Sequence, residues 1–524
     1  MDTQTIALIF LAAFAVMMVA IGVLSTRQSK SLDGFVLGGR NVGAWMSAFA
    51  FGTSYFSAVI FVGYAGTFGW RVGIGGIWVG IANGLIGALL AWALLAKPTR
   101  RMTHNLDTRT MPEFFEKRYG AKGLKFVAAL IIFIFLVPYA ASVYKGLGMF
   151  FGEVFTGAGS WFPGMSAATV CMLIVAVLTG VYLVLGGYIA VAWTDFVQGL
   201  IMIGGAIALM FAVVTRPEVG GLAAGLKKLG EFTDEFGKTG QLNNLFSGNV
   251  ITILLPVILL TSIGTFGLPH MVHKFYAIRD DKAIKRAAVI STVFSLIIGC
   301  GAYFTGAFSR LFLEEIPEGG YDAIMPTMLM GAFSGSGAGK VLLALLILLL
   351  LSASMSTLSS LVLSSSTAVT VDFIQTVKPD FDKKVQMLLT RLFCLVFVAL
   401  SFVFANSNIT IIVSLMSFSW GVVAGCFIGP FLWGLLWKGA TKAGAWAGMA
   451  GAFLTVVVMT LVSMFQHGGF TYAAFQTASR NAPTFGAAAM VVSIVIVPLV
   501  SLITKKLSKD IIDRAFGGAA DVAA

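Results

Sequence analysis

Long apolar stretches separated by short polar segments repeat along this chain from its first residues almost to its last. They centre near residues 6–25, 42–69, 73–96, 126–150, 164–186, 190–214, 248–272, 287–309, 341–371, 388–405, 408–437, 443–465 and 484–504. One helical crossing of a bilayer takes about 20 apolar residues, so the pattern predicts about 13 transmembrane helices. Membrane-spanning strands would instead show alternating segments of about ten residues, and the stretches here are continuous and long. The predicted fold class is an all-α polytopic membrane protein, with residues 1–524 forming a single transmembrane domain.

Two stretches look interrupted. The first, 42–69, contains Gly52-Thr53-Ser54 and then Gly63 and Gly66; the second, 248–272, contains Pro256, Gly264, Gly267 and Pro269. Broken helices at corresponding positions of two halves mark a mid-membrane binding site, because unwinding frees carbonyls and exposes half-helix dipoles. Five spans starting at 42 and five starting at 248 give an organisation of one extra N-terminal helix (6–25), a first repeat (42–214), a second repeat (248–437) and two C-terminal helices (443–504). With an odd number of helices per repeat, the second is inverted relative to the first.

Charge sets the orientation. The segment Met1–Thr5 lacks the basic start of a cleaved signal, and Arg27 and Lys30 follow the first apolar stretch, which predicts a retained helix with its N-terminus outside. With that orientation 25 of the 35 Lys and Arg residues fall in cytoplasmic segments, as the positive-inside rule requires, and the C-terminus lies inside. The formal net charge of +12 is then a topology signal for a cytoplasmic-membrane protein. A nucleic-acid partner would need a basic soluble domain, and the lipid bilayer is the partner the composition calls for; nothing calls for an obligate protein partner. Cys171, Cys300, Cys394 and Cys426 all sit in apolar spans without metal-ligand spacing and read as small buried hydrophobes. No metal cluster, nucleophile–base pair or cofactor loop suggests an enzyme.

The chemistry concentrates in Ser352-Ala353-Ser354-Met355-Ser356-Thr357-Leu358-Ser359-Ser360, inside the span 341–371. On a helix Ala353, Ser356, Thr357 and Ser360 share one face, with Ser359 beside them. Such a stripe can hold packed helices together or bind a small hard cation. Asp195, a carboxylate within a span, is a functional candidate by default. Lys145 reads as a lysine snorkelling near the outer surface, and His270 and His273 as residues of the cytoplasmic helix end.

Four motifs resemble the solute:sodium symporter family. They are Leu37-Gly38-Gly39-Arg40, the run Gly186–Gln198 around Trp193-Thr194-Asp195, Phe266-Gly267-Leu268-Pro269-His270, and Met355-Ser356-Thr357-Leu358-Ser359. The resemblance implies a LeuT-like 5+5 inverted repeat. It implies a sodium site built from the carbonyls of Thr53, Phe56 and Ala353 and the hydroxyls of Ser356 and Thr357, five neutral oxygens suited to a hard monovalent cation. Thr53 stands where the family usually has alanine. Asp195 with Ser356, Ser359 and Ser360 matches a second sodium site found in some members, so one or two coupling ions are implied. Substrate contacts are expected from Tyr55, Ser57, Tyr139, Thr261, Thr265 and Trp420. The expected function is sodium-coupled import of a small polar organic solute (sugar, amino acid or carboxylate) by alternating access. The rival readings are proton coupling through Asp195, which shows no titratable relay partner in the sequence, and a membrane solute sensor that transports nothing. Proline is not favoured, because the proline carriers of the family have an aspartate where Tyr55 stands.

Overall fold

The computed structural model describes residues 3–25, 32–335, 337–378, 382–407 and 410–517; Arg27 and Lys30 lie outside them. The described residues are helical, with two isolated β-bridges, Val42 to Ile278 and Thr233 to Thr239, and no strand. Eleven helical stretches among them are long and apolar enough to cross a bilayer, against the 13 or so expected. Two of the eleven, Val59–Asn105 with 47 residues and Ala167–Val214 with 48, are each more than twice the roughly 20 residues of one crossing. Each turns at a glycine in the left-handed region, Gly73 (φ 57) and Gly187 (φ 56), a conformation that costs glycine little and other residues much.

Numbered from the N-terminus, the helices used below are α1 (Thr3–Ser25), α2 (Ala44–Tyr55), α3 (59–72), α4 (77–105), α5 (Met111–Tyr119), α6 (Lys122–Val154), α7 (167–186), α8 (188–214), α9 (248–263), α10 (Pro269–Ala277), α11 (Asp281–Ala307), α12 (Ile324–Phe333), α13 (Gly337–Val377), α14 (Lys383–Ala405), α15 (Ile412–Leu436), α16 (Lys442–Gln466) and α17 (Ala482–Ile503). The hydroxyl-bearing α13 is the central post, packed against α1, α2, α6, α14 and the α7–α8 pair, and it is buried along its whole middle. α15 is a second buried post, packed against α6, α16 and α17.

Both anticipated helix breaks are present, and each has a local cause. α2 stops at Phe56, whose backbone is extended (φ −114, ψ 123). The amides released by the break are taken by hydroxyls: Ala58 N–H donates to Ser354 Oγ at 3.2 Å and Val59 N–H to Ser57 Oγ at 3.2 Å. Unwinding at membrane depth requires such replacements, and one is supplied by the facing α13. The second break falls at Gly267-Leu268. Pro269 opens α10 at a position where its missing N–H costs nothing, and it holds Leu268 extended (φ −84, ψ 120). Gly267 lies against the backbone of Ala424 on α15, leaving no room for a Cβ.

Glycine also sets the spacing of α3 and α11. A Cβ on Gly306 would run into the Ala65 carbonyl, and one on Gly69 would run into the backbone of Gly306. Gly306→Ala is therefore expected to destabilise the detergent-solubilised protein by about 1–3 kcal/mol, the usual overpacking penalty, read as a lowered midpoint of thermal unfolding.

Lys145 stands near one end of the bundle, and its ammonium is paired there rather than left to solvent. Its ammonium donates to the Thr410 carbonyl at 2.7 Å and lies 3.9 Å from Asp322, whose carboxylate also accepts from Ile412 N–H at 3.0 Å. Burial pushes the Asp322 carboxyl above the usual aspartate range, opposed by the Lys145 ammonium. These groups border an open cavity of about 370 Å³ that also takes in Ser166, Thr169, Asn406 and Arg480. Twenty residues back along α6, roughly 30 Å, Lys125 pairs with Glu116 at 3.3 Å, and near it Thr110 Oγ1 donates to Asp372 at 2.6 Å. Paired charges thus stand at both ends of the bundle. His270 and His273, on α10, are packed against aromatic rings, His270 against Tyr139 and His273 against Tyr188.

Candidate functional site

The first break and the hydroxyl stripe face each other. Ser356 Oγ lies 3.1 Å from the Thr53 carbonyl and 3.1 Å from the Ala353 carbonyl. Thr357 Oγ1 lies 3.3 Å from Thr53 O, 3.4 Å from Ser54 O and 3.0 Å from Ala353 O. All these residues are buried. Oxygens held about 2.4 Å from a common hard cation and at right angles about it stand about 3.4 Å apart, so this spacing fits a small cation with little rearrangement. The donor chemistry fits as well: carbonyls and hydroxyls offer lone pairs without a formal charge, which suits an ion that has to leave again.

Four of the five anticipated sodium ligands, Thr53, Ala353, Ser356 and Thr357, meet here. Phe56 stands at the extended break and makes no hydrogen bond to either hydroxyl, while the Ser54 carbonyl approaches instead. The hydroxyl of Thr53 donates to Phe49 O at 2.8 Å in its own helix, so the departure from alanine leaves the Thr53 carbonyl free for the cluster. Because α13 continues through the site unbroken, its hydroxyls are fixed while the carbonyls of α2 ride on a helix end.

One helical turn further along α13 the arrangement differs from expectation. Ser360 Oγ is 2.8 Å from Ser54 Oγ and accepts from Lys274 Nζ at 3.0 Å. The same ammonium lies 3.8 Å from Asp195 Oδ2, and both side chains are almost wholly buried. Asp195 thus has a charged partner, which corrects the reading that it lacks one. Ser359 Oγ donates to the Ser356 carbonyl within its own helix at 2.9 Å. Of the four residues anticipated for a second sodium, Asp195 and Ser360 meet at a lysine, while Ser356 and Ser359 spend their hydroxyls on carbonyls.

A small cavity of about 20 Å³ lies beside the first break, lined by Tyr55, Phe56, Ser57, Val59, Ile60, Tyr64, Asn83, Thr261, Tyr303, Met416 and Trp420. That is room for about one water. Four of the six anticipated substrate residues, Tyr55, Ser57, Thr261 and Trp420, line it. Tyr139 sits behind Trp420 (ring centroids 5.7 Å apart), and Thr265 spends its hydroxyl on the Gly87 and Ser262 carbonyls. Tyr55 stacks on Phe56 with centroids 4.5 Å apart and donates to the Thr261 carbonyl at 2.8 Å, tying the two broken helices together. Asn83, missed in the sequence, accepts from both Thr261 and Ser262. An amide inside an apolar span was the available signal; Tyr64 and Tyr303 carried none that separated them from ordinary membrane aromatics.

A sequence profile described as the sodium:solute symporter family matches residues 35–451. Among characterised proteins, the chain is similar to the sodium/proline symporter of Haemophilus influenzae, with 30% identity over 460 residues covering 84% of this chain and 85% of that protein. The osmoregulated proline transporter OpuE of Bacillus subtilis is 28% identical over 458 residues, covering 86% of this chain and 88% of that protein. Among solved structures, a Na+-coupled sialic acid symporter in a substrate-bound outward-open state superposes with a TM-score of 0.70 at 18% identity, covering 96% of this chain and 99% of that one. The fold is LeuT-like.

Proposed function

Since the chain belongs to the sodium:solute symporter family, and is therefore a multi-pass membrane carrier that couples sodium to a small solute, we propose that it imports a small polar organic solute bearing no net charge. The observation that carries the reading is the meeting of the Thr53, Ser54 and Ala353 carbonyls with the Ser356 and Thr357 hydroxyls across the first helix break. Sodium there pins α2 against α13, and the same break supplies Tyr55 and Ser57 to the water-sized cavity beside it, which has to widen to take a solute. Ion and solute therefore bear on one hinge, and each raises the affinity of the other by the same factor. The side chains lining the cavity carry hydroxyl, amide, indole and apolar groups and no ionisable acid or base other than tyrosine, and a fixed net charge in such surroundings would go uncompensated. Zwitterionic amino acids and neutral sugars fit that rule. The repeats are 42–214 and 248–437, the N-terminus faces outside, and the C-terminus faces the cytoplasm of a cell whose inner membrane holds the carrier.

The test is uptake into proteoliposomes of labelled proline, other neutral amino acids and neutral sugars, with an inward gradient of sodium or of choline. Accumulation in sodium alone is expected for at least one neutral solute. Accumulation that ignores sodium and follows a proton gradient would replace this reading with proton coupling. Sodium-dependent binding without uptake would leave a sensor.

A further inference from the structure

The Asp195 position already contains a basic side chain. Lys274 reaches it from α10, five residues after Pro269 restarts that helix, with its Nζ 3.0 Å from Ser360 Oγ and 3.8 Å from Asp195 Oδ2. Its third side faces the ring of Tyr188, 5.4 Å from the centroid, which adds an attraction of the cation–π kind. Neither Asp195 oxygen has a hydrogen-bond partner among the described residues, so the lysine ammonium is what compensates this wholly buried carboxylate. The place is built like a cation site: one acidic oxygen, one hydroxyl shared with the broken helix through Ser54, and an aromatic face.

We propose that the Lys274 ammonium is a resident cation that takes the place of a second sodium beside Asp195 and Ser360, so that this carrier binds and moves one sodium ion per cycle. The proposal rests on the sodium-coupled reading above. Asp195 and Lys274 together are neutral. A sodium ion entering the same position would stand next to the ammonium, and two like charges at such a distance repel strongly where water is excluded. The site at Ser356 and Thr357, one turn away and free of formal charge, has no such competitor. The ammonium is tethered and cannot be carried across, so it holds α10, α8 and α13 together at this point without consuming the ion gradient.

The experiment counts radiolabelled sodium bound by the purified full-length protein at saturation, with sodium alone as the probe. Wild type is expected to bind one ion per chain. Lys274→Gln leaves Asp195 without its cation and is expected to bind two, the second being lost again in Asp195→Asn/Lys274→Gln. Lys274→Arg, which keeps the charge, is expected to bind one. A wild-type count of two overturns the proposal without recourse to any variant, and so does a folded Lys274→Gln that still binds one. If Lys274→Gln proves unstable, its thermal unfolding is followed as sodium replaces choline. A rise in midpoint larger than that of wild type supports the proposal, and a rise no larger than wild type overturns it. A wild type that binds no sodium would instead remove the symport reading itself.

Discussion

Ser356→Ala combined with Thr357→Ala is expected to abolish sodium-dependent uptake while leaving the protein folded. In the proposed ligand set the two hydroxyls are the side-chain members and the rest are backbone carbonyls, so they are what mutation can remove. A hydrogen-bond-strength contact to a charged partner contributes about 1.5–3 kcal/mol. Losing two therefore weakens sodium binding by about 3–6 kcal/mol, or at least about 100-fold at about 1.4 kcal/mol per factor of ten. The fold does not depend on them to that extent, since their intrahelical partners are carbonyls three or four residues back that α13 already bonds through its backbone. The measurement is uptake at graded sodium with thermal unfolding of the same preparation in choline. Uptake retained at wild-type sodium affinity would move the ion elsewhere; an unfolding midpoint that collapses in choline would make the hydroxyls structural.

What could be read from the sequence follows from which groups carry side-chain identity. Hydroxyls clustered in an apolar span stand out, and Ser356 and Thr357 were found that way. Carbonyl ligands have no residue signature: Thr53 came by resemblance, and Ser54 emerged only once the two helices were seen facing each other. The helix breaks were legible because proline and glycine act locally, as Pro269 does on Leu268. Lys274 was not legible. It follows the apolar stretch 248–272 and precedes Arg279, Lys282 and Lys285, so by pattern alone it joins a cytoplasmic basic loop. The restart of α10 at Pro269 carries the helix on to Ala277 and turns Lys274 inward to Asp195. For a related reason Lys145 was read without its partner. Its distance from Lys125 gave its depth along α6, whereas its partner Asp322 comes from a distant segment.

The buried pair makes the other large prediction, and the two halves of the pair differ in how they fail. Asp195→Asn leaves the Lys274 ammonium enclosed with Ser360 and the Tyr188 ring as its neighbours, and breaking a buried pair from one side costs about 3–5 kcal/mol. Sodium cannot relieve that loss, because the orphaned group is itself a cation. Adding Lys274→Gln removes the orphan and keeps a donor for Ser360, so the double variant is expected to recover most of the lost stability and to be far less destabilised than the sum of the two single substitutions. The check is a double-mutant cycle on thermal or denaturant unfolding in choline, where sodium contributes nothing. Strict additivity of the two substitutions would mean that the 3.8 Å approach of Lys274 to Asp195 carries no interaction. Recovery would establish that α8, α10 and α13 are joined through charge at this point, one turn from the proposed sodium hydroxyls, so that movement of α10 about its break is felt where the ion binds.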